Sequence, residues 1–179
     1  MASVFPVTEE AALSIQQGST FSFAFILLDV NEDPVDLFGF VAKMMIRRTL
    51  TDLYPIAMFL PAPPAVWNAL LTYIPNDLVM ASDGFMYMAT PPPKLLPGQP
   101  NYPPNLNMDP VSSPNYWTRV ALGSTSLVQT AGQVNLSMDR ANTAILVFES
   151  ALYDVDLVDS TETYTPVRGL VTLYKEVTR

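Results

Sequence analysis

Apolar and polar residues alternate along two segments near the start of the chain. Alternation with a period of two is typical of a strand that buries one side. The pattern therefore predicts strands over residues 20–29 and 40–47, separated by a polar turn around Pro34. Their inward positions are Phe21, Phe23, Phe25 and Leu27 in the first strand and Phe40, Ala42, Met44 and Ile46 in the second. We expect the two strands to be antiparallel neighbours.

Short apolar segments of strand length return after residue 115. They predict strands over residues 116–123, 126–129, 132–138, 153–158 and 167–177. Residues 140–146 have the composition of a short helix, which Ser137 or Asp139 can cap. The last two strands form a hairpin at the end of the chain, and we expect no tail or further domain after it. Six or seven strands with closely spaced turns predict an all-β antiparallel sandwich with one short helix.

The segment between these two regions is rich in proline. Of the 17 prolines, all except Pro6, Pro34 and Pro166 lie between Pro55 and Pro114. Proline has no N–H to donate and restricts the residue before it, so continuous sheet or helix is excluded over much of this segment. We therefore expect a single domain, residues 1–179, with a proline-rich insertion at residues 50–115.

The composition removes several kinds of chemistry. The chain has neither histidine nor cysteine. Disulfides, thiolate nucleophiles and cysteine-containing zinc sites are therefore impossible, and the usual acid or base at neutral pH is missing. The charge of -8 is spread along the chain, so a nucleic-acid partner is not expected. No apolar run approaches the roughly 20 residues of a membrane helix, and the first residues do not resemble a signal peptide.

Several short motifs occur in an order that resembles a known group of proteins. They are Gly18-Ser19-Thr20-Phe21, Pro34-Val35-Asp36-Leu37-Phe38-Gly39-Phe40, Ile46-Arg47, Gly132-Gln133-Val134-Asn135-Leu136-Ser137, Thr143-Ala144, Tyr153-Asp154-Val155-Asp156-Leu157, Gly169-Leu170-Val171 and Glu176-Val177-Thr178-Arg179. Over residues 13–49 and 116–179 the chain resembles small modules of tailed bacteriophages, similar to the N-terminal domains of baseplate and tail-fibre attachment proteins. The insertion at residues 50–115 is longer and richer in proline than the linking strands of that family.

The resemblance implies an immunoglobulin-like β-sandwich that serves as a non-enzymatic part of a virion assembled in the host cytoplasm. Its implied position is the tail, at the baseplate or the fibre attachment, with other virion proteins and further copies of the chain as partners. The family carries no catalytic residues or cofactors to transfer. Two other functions stay open: a capsid decoration protein, and a carbohydrate-binding or receptor-binding module.

Aromatic residues in and beside the insertion are the candidate partner interface. They are Trp67, Tyr73, Phe85, Tyr87, Tyr102 and Trp117. Amphipathic aromatic rings on a stiff, proline-rich backbone provide contact area at low entropic cost. The same residues could instead form a satellite core that folds the insertion.

Two acidic groups are weaker candidates. Asp154 and Asp156 project to the same side of a strand, where carboxylates could bind calcium, although a solvated strand face explains them as well. Four carboxylates in residues 29–36 could supply a glycosidase pair, but turns also favour such residues. We therefore expect no metal, no cofactor and no enzymatic activity.

Overall fold

The chain is a mainly β protein with one short α-helix. The structure is a computed structural model, and it describes residues 9–49, 51–52, 54–90 and 108–175. The strands of these residues are β1 (Glu9–Glu10), β2 (Leu13–Gln16), β3 (Phe21–Ile26), β4 (Val41–Arg47), β5 (Ala57–Leu60), β6 (Leu78–Met80), β7 (Met86–Ala89), β8 (Trp117–Val128), β9 (Gln133–Met138), β10 (Ser150–Val158) and β11 (Thr163–Tyr174). The helix α1 is Arg140–Ala144, and a 3-10 turn occupies Gln129–Ala131.

The described residues fall into two compact units. Unit 1 comprises residues 1–62 and 121–179, as far as they are described, and unit 2 comprises residues 63–120. The predicted insertion began at residue 50, whereas β5 lies in unit 1. The strand β8 contributes its first four residues to unit 2 and the others to unit 1.

The strands of unit 1 form one mixed, hydrogen-bonded sheet. Their order is β2–β11–β10–β4–β5–β8–β9–β3, and β1 also pairs with β11. The strands β1 and β2 run parallel to β11, and β5 runs parallel to β8. The prediction of a purely antiparallel arrangement was therefore wrong. Parallel neighbours need a long connection, and the chain provides one in residues 61–116 between β5 and β8.

The expected pairing of the first two predicted strands was also wrong. The strand β3 pairs with β9, and β4 lies between β10 and β5. The connection between β3 and β4 is too long for a tight hairpin, and it has hydrogen bonds of its own. The amide of Val35 donates to the carbonyl of Leu27 at 2.9 Å, and that of Leu37 donates to Gln129 at 3.1 Å.

The predicted strands 116–123 and 126–129 are one continuous strand, β8. We expected an interruption near Gly123, but this glycine sits opposite Phe59 in β5. A Cβ atom at Gly123 would lie 2.2 Å from the Phe59 ring. Glycine in a strand often marks such a close approach, so here it accommodates a ring and does not end the strand.

The short helix and the last hairpin are confirmed. The side chain of Asp139 caps α1 by accepting from the Asn142 amide at 2.8 Å. The strands β10 and β11 pair antiparallel, and Tyr153, Val155 and Leu157 of β10 are buried as predicted. Residues 176–177, the end of the second predicted hairpin strand, lie outside the described residues.

Apolar side chains from both ends of the sequence form the core of unit 1. Of the inward positions predicted for residues 40–47, Ala42, Met44 and Ile46 are at most 1% exposed, whereas Phe40 precedes β4 and is only partly buried against the same core. The largest fully buried side chain is Phe59, whose ring meets that of Phe21 edge-on at 5.8 Å. Burial of these side chains provides most of the driving force for folding.

The inward-facing Tyr153 joins the hairpin to the N-terminal strands. Its hydroxyl donates to the carbonyl of Ala11 at 2.9 Å. Burial raises the pKa of Tyr153 to about 12. Its pKa in the unfolded chain is about 10. Because the folded value is the higher one, the stability linked to the neutral phenol is complete below about pH 10 and is lost as the pH rises towards about 12.

We therefore expect Tyr153→Phe to remove this alkaline dependence. The variant loses one hydrogen bond, which costs about 1 kcal/mol near neutral pH. The free energy of unfolding of the variant should approach that of the wild type between about pH 10 and about pH 12. Urea denaturation of both proteins across this range measures the difference in their free energies of unfolding. A difference that stays constant with pH would contradict the assignment.

Unit 2 has a small sheet and its own apolar cluster. The strand β7 lies between β6 and the first four residues of β8, and both pairings are antiparallel. Buried members of the cluster are Val79, Ala81, Tyr87, Ala89 and Trp117. The tight turn between β6 and β7 contains Gly84 at a φ of 81°, a conformation that glycine adopts without strain.

Candidate partner-binding loop

The aromatic residues predicted as an interface are largely drawn together in unit 2. Trp117 and Tyr87 are 3% and 8% exposed, and Trp67, Tyr73 and Phe85 are partly buried against the same cluster. Tyr102 lies outside the described residues. The described members therefore form the satellite core that the sequence left open as an alternative. Because Trp117 is buried, it offers no free ring face for stacking on a sugar.

Specific contacts fix these rings. Tyr73 meets Trp117 edge-on with the ring centroids 5.3 Å apart, and the Trp117 indole nitrogen donates to the carbonyl of Met108 at 3.0 Å. The guanidinium of Arg119 lies 3.4 Å from the centroid of the Phe85 ring, a cation–π contact. The hydroxyl of Tyr87 donates to Asp83 at 2.9 Å. Burial and the neighbouring Asp83 raise the pKa of Tyr87.

The aliphatic side chains of the same segment are exposed to solvent. We call residues 66–74 the apolar loop. Its exposed members are Val66 at 73%, Leu70 at 90%, Leu71 at 54% and Ile74 at 63%. The loop contains no charged residue. Exposed apolar residues grouped in this way are characteristic of surfaces that contact another macromolecule.

Hydrogen bonds hold the apolar loop in a defined shape. The amide of Asn68 donates to the hydroxyl of Tyr73 at 2.8 Å. The side-chain oxygen of Asn68 accepts from the amide of Leu70 at 2.9 Å, and its carbonyl accepts from that of Leu71 at 3.1 Å. Tyr73, which packs in the core of unit 2, therefore stabilises the part of the loop that exposes Leu70 and Leu71.

The two ends of the apolar loop are also anchored. At the start, the Trp67 amide donates to the carbonyl of Met80 at 2.8 Å, beside β6. At the end, the Ile74 amide donates to the carboxylate of Asp77 at 2.7 Å, and the Asp77 amide returns a bond to the Ile74 carbonyl at 3.0 Å. A loop fixed at both ends loses little conformational freedom when it binds, which favours affinity.

The sequence predicts the aromatic residues of this segment as the interface, since aromatic residues dominate many interfaces. The structure uses the described ones to build unit 2 and exposes Leu70 and Leu71. The signal in the sequence is weak: an uncharged run, Asn68-Ala69-Leu70-Leu71-Thr72, follows neither a strand period nor a helical one.

The paired acids of β10 are not a simple solvated face. Asp154 forms an ion pair with Arg47 of β4 at 3.2 Å, and both side chains are 24% exposed. Burial raises the pKa of Asp154, while Arg47 opposes this shift. Asp156 accepts from the hydroxyl of Thr165 at 2.6 Å. Both carboxylates lie on the outward side of the strand, as the alternation predicted, and they join β10 to its two neighbours.

The acidic loop between β3 and β4 is a turn, as its composition indicated. Asp29 accepts from the amides of Asn31 and Asp33 at 2.8 and 3.0 Å. These bonds lower the pKa of Asp29. Across residues 9–49, 51–52, 54–90 and 108–175, no group of three or more acidic side chains is placed to hold a metal ion.

A shallow depression of about 700 Å³ lies in unit 1, beside β11. Its charged lining residues are Glu10, Asp154 and Arg168, and most of the remaining lining is apolar. Arg168 and Glu10 approach to 3.4 Å, but both are largely exposed, so water screens their attraction.

No protein-family model and no curated protein matches this chain. In the part of the chain that the structure describes, no helix has the length and apolar character that crossing a membrane requires.

Proposed function

We propose that this chain is a non-enzymatic structural protein of a bacteriophage particle that docks onto a neighbouring subunit through the apolar loop. The proposed position is the tail, at the baseplate or at the attachment of a fibre. The motif resemblance of residues 13–49 and 116–179 motivates the choice of particle. The absence of histidine and cysteine from the sequence favours a structural role over catalysis.

We further propose an immunoglobulin-like arrangement for unit 1. In such a fold, two sets of strands pack on each other, with neighbouring strands supplied by distant parts of the chain. The order β2–β11–β10–β4 corresponds to one set, and β3–β9–β8 corresponds to the other. The parallel pair of β5 and β8 then joins the two sets.

The observation that carries the docking proposal is the exposure of Leu70 and Leu71 on a braced, uncharged loop. Leu70 is 90% exposed and Leu71 is 54% exposed, so much of their apolar surface is not buried by the folding of unit 2. When a partner covers such a side chain, its burial contributes about 1.5–3 kcal/mol. The hydrogen bonds to Asn68 pre-form the shape in which both leucines are presented.

The test is a doubly charged variant of this loop. We expect Leu70→Asp combined with Leu71→Asp to fold normally and to be incorporated into particles at least about 30-fold less than the wild type, which corresponds to a loss of about 2 kcal/mol. The measurement is quantitative mass spectrometry of purified particles produced with each form of the chain. Circular dichroism and thermal unfolding establish that both proteins fold.

The control places one aspartate on another exposed apolar residue, and the single variant Leu70→Asp carries the same added charge as this control. Val30 is 92% exposed and belongs to unit 1. Particles should incorporate Val30→Asp as well as they incorporate the wild type. Equal incorporation of the loop variant and the control would rule out the apolar loop as the docking element.

The capsid is the alternative position within the particle. A decoration protein would use the same loop to attach to the head. Labelling intact particles with an antibody against the chain and imaging them by electron microscopy separates the two positions. Labelled tails support the proposal, and labelled heads replace it with the decoration role.

A further inference from the structure

Three neighbouring strands of unit 1 carry no charge. Residues 11–28 and 120–138 contain no Asp, Glu, Lys or Arg, although the chain has a net charge of -8. The first stretch supplies β3, and the second supplies β9 and the unit 1 part of β8. Strand pairing sets them side by side in the order β8–β9–β3. Folding therefore combines two distant uncharged stretches into one surface.

The outward side of these strands is formed by small polar and aliphatic residues. Pairing aligns them in three rows, which are Ser22–Ser137–Ser124, Ala24–Asn135–Ser126 and Ile26–Gln133–Val128. The three outward residues of β3 are exposed. Such a surface neither attracts nor repels charge, so a second copy of this acidic chain meets less repulsion here than elsewhere.

The strand β3 is also an open edge. Among the residues that the structure describes, only β9 pairs with it. The Leu27 amide donates to the carbonyl of Gly132 at 2.9 Å, in the register of the β3–β9 ladder. Because hydrogen-bonded pairs alternate in an antiparallel ladder, Phe21, Phe23 and Phe25 bond to β9. The N–H and C=O groups of Ser22, Ala24 and Ile26 consequently point away from the sheet.

Features that normally block an edge strand are missing from β3. Native edges are protected by lysine, proline or bulges. The sequence Phe21–Ile26 contains neither lysine nor proline, and its register with β9 is regular. By contrast, the opposite edge of the sheet begins with Glu9 and Glu10. On the inner side of β3, the rings of Phe23 and Phe25, 5.9 Å apart, are only partly buried.

We infer that a second copy of this chain adds its β3 antiparallel to β3, around a two-fold axis at Ala24. In this register Ala24 faces Ala24 of the other copy, and Ser22 faces Ile26. All three outward N–H groups and all three outward C=O groups of each strand then find partners. The small side chains of Ser22 and Ala24 permit the close approach. A two-fold contact uses both edges completely, so assembly through it stops at a dimer.

The experiment measures self-association and amide protection of the purified full chain. Sedimentation equilibrium between about 1 µM and about 1 mM should show a monomer–dimer equilibrium, since an edge-strand contact is a small interface. Hydrogen exchange followed by NMR should show that the amides of Ser22, Ala24 and Ile26 gain at least about tenfold protection as the dimer forms. Other outward amides of unit 1 should not change.

Ala24→Pro tests the contact directly. Proline removes an outward N–H that makes no bond within the chain, so the fold tolerates it at an edge position. We expect this variant to remain monomeric up to about 1 mM. Ala24→Ser keeps the N–H and should dimerise as the wild type does. If Ala24→Pro fails to fold, Ala24→Lys provides the same test, since position 24 faces itself and two like charges would lie directly opposite each other in the dimer.

A wild-type chain that is monomeric at all concentrations would overturn the inference. A dimer that persists in Ala24→Pro or Ala24→Lys, or amide protection at other strands, would also overturn it, as would growth beyond a dimer. The inference does not depend on the virion role. The apolar-loop variant, Leu70→Asp with Leu71→Asp, should dimerise like the wild type, so the failure of one proposal leaves the other standing.

Discussion

Replacing Phe59 with alanine is expected to lower the free energy of unfolding by about 3–5 kcal/mol. The side chain is fully buried and stands at the centre of the unit 1 core. It packs over Gly123 of the neighbouring strand and edge-on against Phe21 of β3. Alanine would leave a cavity between these strands, and their fixed hydrogen bonds would limit how far the cavity could collapse. Urea denaturation of the purified chain measures the loss.

A second phenylalanine provides the matched control for this variant. Phe38 is 78% exposed, so Phe38→Ala should change the free energy of unfolding by no more than about 0.5 kcal/mol. Similar losses for the two variants would contradict the placement of Phe59 in the core. The result bears directly on the boundary of unit 2. A deletion that starts at Pro55 would remove Phe59, whereas one that starts after residue 62 would spare it.

Gly169→Ala is the second substitution with a large expected effect. A Cβ atom at this position of β11 would lie 2.0 Å from the carbonyl oxygen of Ala11 and 2.9 Å from its carbon. The obstacle is backbone, which cannot rotate away as the end of a side chain can. The carbonyl is also held at 2.9 Å by the hydroxyl of Tyr153. We expect the free energy of unfolding to fall by about 3 kcal/mol or more.

The lower free energy of unfolding of Gly169→Ala should be accompanied by detachment of the N-terminal strands β1 and β2 from β11. Hydrogen exchange should show that amides of β2 lose protection while those of β4 keep theirs. The adjacent Leu170 is 56% exposed, and Leu170→Ala should have little effect on either measurement. Wild-type stability in Gly169→Ala would show that Ala11 is not packed against β11 as described.

Local patterns in the sequence predicted the elements well where one side of a strand faces the core. The alternation in β4 and β10 gave the buried residues of both strands, and Asp139 marked the start of the helix. These features depend on residues a few positions apart. Strand pairing was harder, because β3 could pair with any strand of similar alternation. A short turn after β3 would have indicated a hairpin with the next strand, but the connection between β3 and β4 is long.

The candidate interface likewise depends partly on local sequence patterns and partly on long-range packing. The sequence identified residues 50–115 as the segment with unusual composition, but it did not separate rings that fold unit 2 from side chains that remain outside. Tyr73 and Leu71 are equally plausible contacts in the sequence. Only the packing of Tyr73 against Trp117 makes one of them structural and leaves the other exposed.

By itself, the sequence determined the β-rich character of the chain, the helix cap, the inward positions of several strands and the absence of histidine and cysteine chemistry. These follow from composition and from short-range periodicity. The tertiary structure decided which strands are neighbours, why Gly123 and Gly169 are glycines, and where the uncharged stretches meet. Such features depend on contacts between residues far apart in the chain, and several pairings satisfy the same local pattern until the core is packed.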